Sequence, residues 1–333
     1  MKEFLIKRIL QMIPVLLGLS ILIFALSRVM PGDSIRLKLG PEATIEQIEA
    51  MEESMGLNDP IYVQYFNYIK GVFKGDMGIS LQSDRNVAVD IFETFPATFE
   101  LMIIAMLIAI VVGVPLGVIS AVKKDKWQDH FTRIISLSGV ALPKFWIAIM
   151  LQIVFAYWFS LLPVVGRGNI VPENITGMRL FDSILTLNFP AFIDSLKHII
   201  LPSIALSIAT TAQIMRLTRS NMLEQLKKDY ILASTSYGLP KVMIVYKYML
   251  KNAFASTLTI IGLSFGALLG NAFLVEAVFG WPGMAQYGVQ GVIYKDYNAI
   301  VGVTLVIGAV FAITNLIVDI LYGLIDPRIK YNA

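Results

Sequence analysis

Residues 220–254 read SNMLEQLKKDYILASTSYGLPKVMIVYKYMLKNAF. Leu226, Tyr230, Ala233 and Tyr237 recur at i, i+4, i+7 and i+11, which places them on one helical face. Gly238 offers a stop, because glycine readily takes the left-handed backbone conformation that closes a helix. Pro240 suits the first turn of a second helix over Lys241 to Asn252, where its missing N–H has no partner to lose. The spacing therefore predicts helix, glycine turn, helix, lying outside a bilayer. Ala233, Ser234 and Ser236 keep part of this surface small, so that another protein's backbone can approach closely. An amphipathic helix resting on an anionic leaflet, drawn there by its lysines, satisfies the same pattern.

On either side of this stretch the chain is apolar. Of its 333 residues 56% are hydrophobic and 15% charged, with a mean hydropathy of +0.69. Soluble domains carry about 25% charged residues, so the deficit points to a chain dissolved in lipid. A helix needs about 20 apolar residues to cross the hydrocarbon core. Six stretches qualify, at 9–29, 97–122, 134–160, 198–215, 254–275 and 299–322. Lys2, Lys7 and Arg8 give the first a signal-like basic flank, but its apolar run is long and no small-x-small cleavage site follows, so it reads as a retained helix. Sixteen lysines and arginines fall in the termini and loops of one side, against eight in the longer loops of the other. That asymmetry places the basic side, and both termini, in the cytoplasm. The expected fold is an all-α polytopic membrane protein with six transmembrane helices.

Two outer connections are more than links. Segment 30–96 has room for a small helical subdomain between the first two spans. Thr44 with Gln47 reads as a capping box, Glu46 and Glu49 suit a first helical turn, and Gly56 can end that helix. After Asp59-Pro60, Ile61, Tyr65, Tyr68, Ile69 and Val72 recur at helical spacing. Loop 161–197 is broken by Pro163, Pro172 and Pro190 and reads as irregular. Both serve equally as solvated caps or as docking surfaces for a partner outside the membrane.

The residues also limit the chemistry. No cysteine is present and only His130 and His198 are, on opposite membrane faces of this topology, so thiolate, histidine-rich metal and Ser/His/Asp sites are disfavoured. The fifteen methionines are scattered among apolar neighbours, as flexible core filling requires. No G-x-x-x-x-G-K-[ST] phosphate loop occurs. Glu100 and Asp319 fall within a few residues of the expected span ends and Lys144 is the one charge well inside a span, leaving the spans nearly free of the buried ionisable groups that proton- or sodium-driven carriers use. A transporter of this kind borrows its energy from elsewhere; a passive channel escapes the argument, so a self-sufficient channel or secondary carrier is the rival class. Glu276, ending the fifth span before Phe279 and the Trp281-Pro282-Gly283 turn, reads either as a carboxylate solvating a helix end or as a polar gate at the outer mouth. Asp319, Tyr322 and Asp326-Pro327-Arg328 read as fixing the cytoplasmic end of the last helix.

The 220–254 stretch resembles the "EAA" coupling loop of binding-protein-dependent ABC importer permeases, in its dipeptide/oligopeptide/nickel form. Asp229, Tyr230, Ile231, Gly238, Leu239, Leu250, Asn252 and Ala253 stand at the family's spacing. Ser234 replaces the usual alanine, Tyr248 a common histidine, and Val242-Met243 a common basic pair. The resemblance spans the chain: Pro31-Gly32-Asp33, Gly56-Leu57, Asp59-Pro60, Gly75-Asp76, Pro143, Arg219, Glu276, Pro282-Gly283, Asp296-Tyr297 and Asp326-Pro327-Arg328 also match. It implies a type I importer permease, closest to the dipeptide "B" subunit, built as a first helix (1–29), an extracytoplasmic subdomain (30–96), a five-helix core (97–322) and a tail (323–333). It further implies a non-enzymatic subunit of the cell membrane forming half of a di-/oligopeptide pathway by alternating access, with nickel or metal chelates, glutathione and oligosaccharides as other cargoes. Asp229, Tyr230, Ala233, Ser234, Gly238, Leu239 and Asn252 then couple it to two cytoplasmic ATPases, which bind the ATP and Mg; Glu276 and Phe279 stand at the outer gate. The chain itself needs no cofactor or metal and no nucleic acid. Its other implied partners are membrane lipid, a second permease and an extracytoplasmic binding protein.

Overall fold

The computed structural model describes residues 2–29, 34–40, 42–54, 56 and 58–325. Helix α1 (Lys2–Val29) is followed by the short helices α2 (Ser34–Leu39), α3 (Ile45–Ser54) and α4 (Ile61–Val72). The anticipated capping box opens α3: Gln47 N–H donates to Thr44 Oγ1 at 3.3 Å and Thr44 N–H to Gln47 Oε1 at 3.1 Å. Helix α5 (Val87–Val122) starts ten residues before the apolar run does, because the Asn86 side chain accepts from Ala88 N–H at 2.9 Å and caps it. Its 36 residues make a rod of about 54 Å, longer than a bilayer core.

The run 134–160 is not one straight span. It folds as α6 (Trp127–Ala141) and α7 (Lys144–Leu151, continuing as a π-helical turn Gln152–Trp158), bent by 108° at Leu142-Pro143. Proline removes a helical N–H and forces the preceding residue extended, and Leu142 accordingly sits at φ −79°, ψ 136°. Among the described residues, five helices are long and apolar enough to cross a membrane, or six crossings if that bent pair counts as one.

The second outer loop is less irregular than its prolines suggest. It carries a short helix, α8 (Arg179–Leu185), and Pro190 begins α9 (Phe189–Gln225) rather than breaking the chain, with Asn188 Oδ1 accepting from Ala191 N–H at 3.2 Å. Helix α9 thus has 37 residues, far more than the anticipated 198–215. After it come α10 (Asp229–Ser236), α11 (Lys241–Met243, continuing as a π-helical Ile244–Leu250), α12 (Lys251–Phe279), α13 (Met284–Ile293) and α14 (Tyr297–Ile325).

Helices α5 and α9 form the centre and run side by side in the same direction. Their backbones touch because Gly113 and Gly117 carry no side chain: a Cβ on Gly117 would stand 2.7 Å from the Met215 carbonyl oxygen. Small residues at such spacing let helices approach where lipid supplies no hydrophobic drive between them. Helix α12 packs on α9 and α14, and α1 lies outermost against α14, where Arg8 pairs with Asp319 at 3.1 Å. That pair ties the first helix to the last. Tyr322's side chain and Asp326-Pro327-Arg328 lie outside the described residues. At the other end of the bundle Asp296, fully buried, caps α14 through Ala299 N–H and accepts from Ser80 Oγ and Leu81 N–H, fastening the 76–86 turn to the helix. The end holding Lys123–Lys126 and residues 226–250 is called the basic end below, and its opposite the far end.

Candidate functional site

At the basic end the chain folds back on itself into a bent handle. Its first arm is α10. The arm is closed by Tyr237 and by Gly238 at φ +72°, with Gly238 N–H donating to Thr235 O at 3.0 Å and Leu239 N–H to Ser234 O at 3.2 Å. This pair of bonds is the glycine-closed helix end that the sequence leads one to expect. Pro240 starts the second arm. That arm is not a separate short helix over Lys241–Asn252: its backbone stays helical from Lys241 through Ile244–Leu250 and into α12. No helix-breaking residue separates the arm from the apolar run, so the handle and the fifth span are one rod.

The seven residues expected here divide by role. Tyr230 Oη donates to Gln225 Oε1 at 2.6 Å and accepts from Asn252 Nδ2 at 3.1 Å, bridging the end of α9 to the start of α12. Ser234 is buried, its hydroxyl donating to Tyr230 O at 2.7 Å, so it stiffens the arm instead of lending it a small outer surface. Leu239 packs on a small separate core of Val118, Ala121, Met222, Ile231, Ile244, Met249 and Ala253. Asp229 and Ala233 are exposed. The anticipated face also changes: Leu226 closes α9 and does not belong to α10, while Ile231 points inward. The outer surface of the bend is apolar, with Tyr237 85% and Leu232 70% exposed beside Val242 and Tyr246. Exposed apolar patches of this kind mark contact surfaces for a protein or a membrane.

The handle is joined to the bundle by groups that sequence reading missed. Asp129, fully buried in the first turn of α6, receives both prongs of Arg219 from α9, Nε and Nη2 each at 2.7 Å. Ser120 Oγ at 2.6 Å and Asp125 N–H at 3.0 Å complete the carboxylate's partners. Bidentate Arg–carboxylate pairs of this kind fix orientation as well as distance, and this one locks α5, α6 and α9 together. Further along, Asn221 Nδ2 reaches Ala253 O at 3.3 Å. Nothing local in the sequence pairs residues 90 apart.

The far end holds a second buried polar cluster, around the residues expected at an outer gate. Glu276 is fully buried. Its carboxylate accepts from Thr98 Oγ1 at 2.6 Å and from Gln286 N–H at 2.8 Å, while Thr98 Oγ1 accepts from Met284 N–H at 2.8 Å. It therefore solvates a helix start, that of α13, from inside the protein and not from the interface. Phe279 is buried, and its carbonyl accepts from Gly166 N–H at 2.9 Å. Trp281 Nε1 donates to Ala97 O at 3.0 Å. Alongside, Glu100 lies fourteen residues inside α5 rather than near its end, because that helix begins at Val87. It pairs with Arg167 Nη2 at 2.6 Å and accepts from Leu180 N–H at 2.6 Å, and the Arg167 guanidinium stands 5.6 Å from the Trp281 ring. The described spans thus carry buried carboxyl groups, Glu100 ion-paired with Arg167 and Glu276 held by hydrogen bonds. Among the described residues no group of His, Cys, Asp and Glu could hold a metal.

Residues 113–331 match the family model for the binding-protein-dependent transport system inner membrane component, and residues 1–102 match its N-terminal companion. The chain is 42% identical to the dipeptide transport system permease protein DppB of Alkalihalophilus pseudofirmus, over 99% of this chain and all of that one. It is 35% identical to DppB of Escherichia coli K12 over 99% of both, and 35% identical to the glutathione transport system permease protein GsiC of Escherichia coli O6:H1 over 99% of this chain. A solved structure of the MetNI methionine ABC transporter in an inward-facing conformation matches with a TM-score of 0.53 at 17% identity, covering 69% of this chain and 93% of that one, a likeness of fold. With the type I permease fold, the multi-pass helices and the bent basic-end handle all in place, the chain belongs to the binding-protein-dependent transport system inner membrane components, the membrane-spanning subunits of ABC importers.

Proposed function

We propose that the chain forms half of the pathway by which an ABC importer brings di- and oligopeptides into the cell. The cargo is supported by relatives named for dipeptides, di/tripeptides and glutathione, aligned over nearly the whole chain. A second homologous permease completes the pathway, an extracytoplasmic binding protein delivers the peptide at the far end, and two cytoplasmic ATPases bind and split the ATP. The basic end faces the cytoplasm, with both termini. The subunit has no catalytic role of its own.

The observation that carries this reading is the handle: an exposed apolar bend, internally hydrogen-bonded, whose second arm runs unbroken into a span. A cleft on an ATPase that grips Tyr237, Leu232 and Val242 moves Lys241–Phe279 as one piece. The Tyr230 bridge and the small core beneath pass the displacement to α5 and α9, and the bundle rocks between inward- and outward-open states. Glu276 and Phe279, at the other end of the same rod, close the outer mouth while their partners hold. The test is reconstitution in proteoliposomes. Dipeptide uptake is expected only with the second permease, both ATPases, the binding protein and ATP; uptake by the chain alone would make it a self-sufficient channel or carrier.

A further inference from the structure

A polar cavity of about 300 Å³ opens where α1, α4 and the start of α14 meet, away from the handle and outside the Glu276 cluster. Arg28, Asp59, Asn67, Tyr68, Asp76 and Asn298 line it. The Arg28 guanidinium lies 5.0 Å from the Phe24 ring and 5.6 Å from that of Tyr297, which fix it in place. Among the described residues it has no carboxylate partner, and its buried Nε makes no hydrogen bond. The buried Tyr68 hydroxyl is likewise without a partner, although its ring packs 5.8 Å from Phe24. Burial pushes the Tyr68 phenol up, so it stays a donor at any working pH. Two buried donor atoms at one polar cavity, neither of them in a hydrogen bond, are uncommon enough to need an explanation.

The cavity also offers the opposite charge. Asp76 Oδ1 is occupied by Gly78 N–H at 2.9 Å and Asn86 Nδ2 at 2.8 Å, which leaves its second oxygen. Asn298 spends its Nδ2 on Ile79 O at 2.9 Å, leaving its own carbonyl as an acceptor. A planar guanidinium held by aromatic rings suits a carboxylate, which it can meet with two parallel bonds. The Asp59 and Asp76 carboxylates suit an ammonium. The volume stands at the lower end of small-ligand sites, about 300–1,000 Å³. We propose that this cavity binds a small zwitterion, an amino acid or dipeptide, its carboxylate on Arg28 and Tyr68 and its ammonium on Asp59 and Asp76.

The test is calorimetric titration of glycylglycine into the full-length chain in lipid nanodiscs, with no other protein present. Saturable one-site binding is expected, weakened about tenfold or more by N-acetylation or C-terminal amidation of the peptide, since each removes a charged hydrogen-bonding partner. Arg28→Gln should weaken it about tenfold or more, and Tyr68→Phe about three- to tenfold. No saturation, as a cavity holding water alone would give, overturns the proposal; so do equal affinities for the free and blocked peptides, or wild-type affinity in Arg28→Gln. Should Arg28→Gln fail to fold, Tyr68→Phe, which removes one oxygen, and the blocked peptides on the wild-type chain decide the matter. The importer reading stands or falls separately, on ATP-driven uptake.

Discussion

Gly238 has open space around it, so only its backbone angle forbids a side chain. An L-residue held at φ near +72° costs about 1–2 kcal/mol, enough to relax the bend without unfolding the spans. Gly238→Val is therefore expected to insert normally and permit ATP hydrolysis, while dipeptide uptake per ATP in proteoliposomes falls severalfold; unchanged uptake would end the lever argument. Asp129 tests the other joint. Removing one partner of a buried, bidentate pair costs about 3–5 kcal/mol, whereas replacing both by apolar groups is far milder. Asp129→Ala should thus lower the thermal midpoint in detergent sharply, and Asp129→Leu with Arg219→Met should recover most of the loss. Gly238 was legible in the sequence because its role is local, a helix stop before a proline. Asp129 was not, since its meaning lies in Arg219, ninety positions on.

At the scale of elements, the same division holds. Helices α3 and α4 were legible to within a residue or two, as were the existence and order of the apolar spans, because capping boxes and periodicity are short-range signals. The ends of α5 and α9 were not: Asn86 and Asn188 carry each helix about ten residues beyond its apolar run, and apolarity reports lipid contact, not helix length. The 108° break at Leu142-Pro143 hid within a continuous apolar stretch for the same reason. The contact between α5 and α9 makes its own prediction. A leucine at Gly117 would drive into the Met215 backbone, an overpacking worth about 1–3 kcal/mol or more. Gly117→Leu is expected to lose the monodisperse peak in fluorescence-detected size exclusion, while Gly18→Leu, on α1 with nothing within 4 Å, keeps it.

For the molecule as a whole, orientation is the statement on which direction of transport rests, and the absence of cysteine makes it easy to test. Single cysteines at Tyr237 and at Asp84, in the turn before α5, should label oppositely with a membrane-impermeant maleimide: Asp84→Cys in intact cells, Tyr237→Cys only in inverted vesicles. The reverse pattern would turn the handle outward and leave no ATPase to grip it. The candidate pathway residues were the least legible part, because Glu276 and Phe279 take their roles from Thr98, Gly166 and Gln286, which only the folded bundle brings near. One property of the bundle has mechanical weight. From Lys241 to Phe279 the backbone is helical without a stop, a shaft of about 58 Å. On the function proposed above, a torque applied at the bend would be carried by this one helix to Glu276 and Phe279, so engine and seal would share their timing: to grip one end would already be to hold the other.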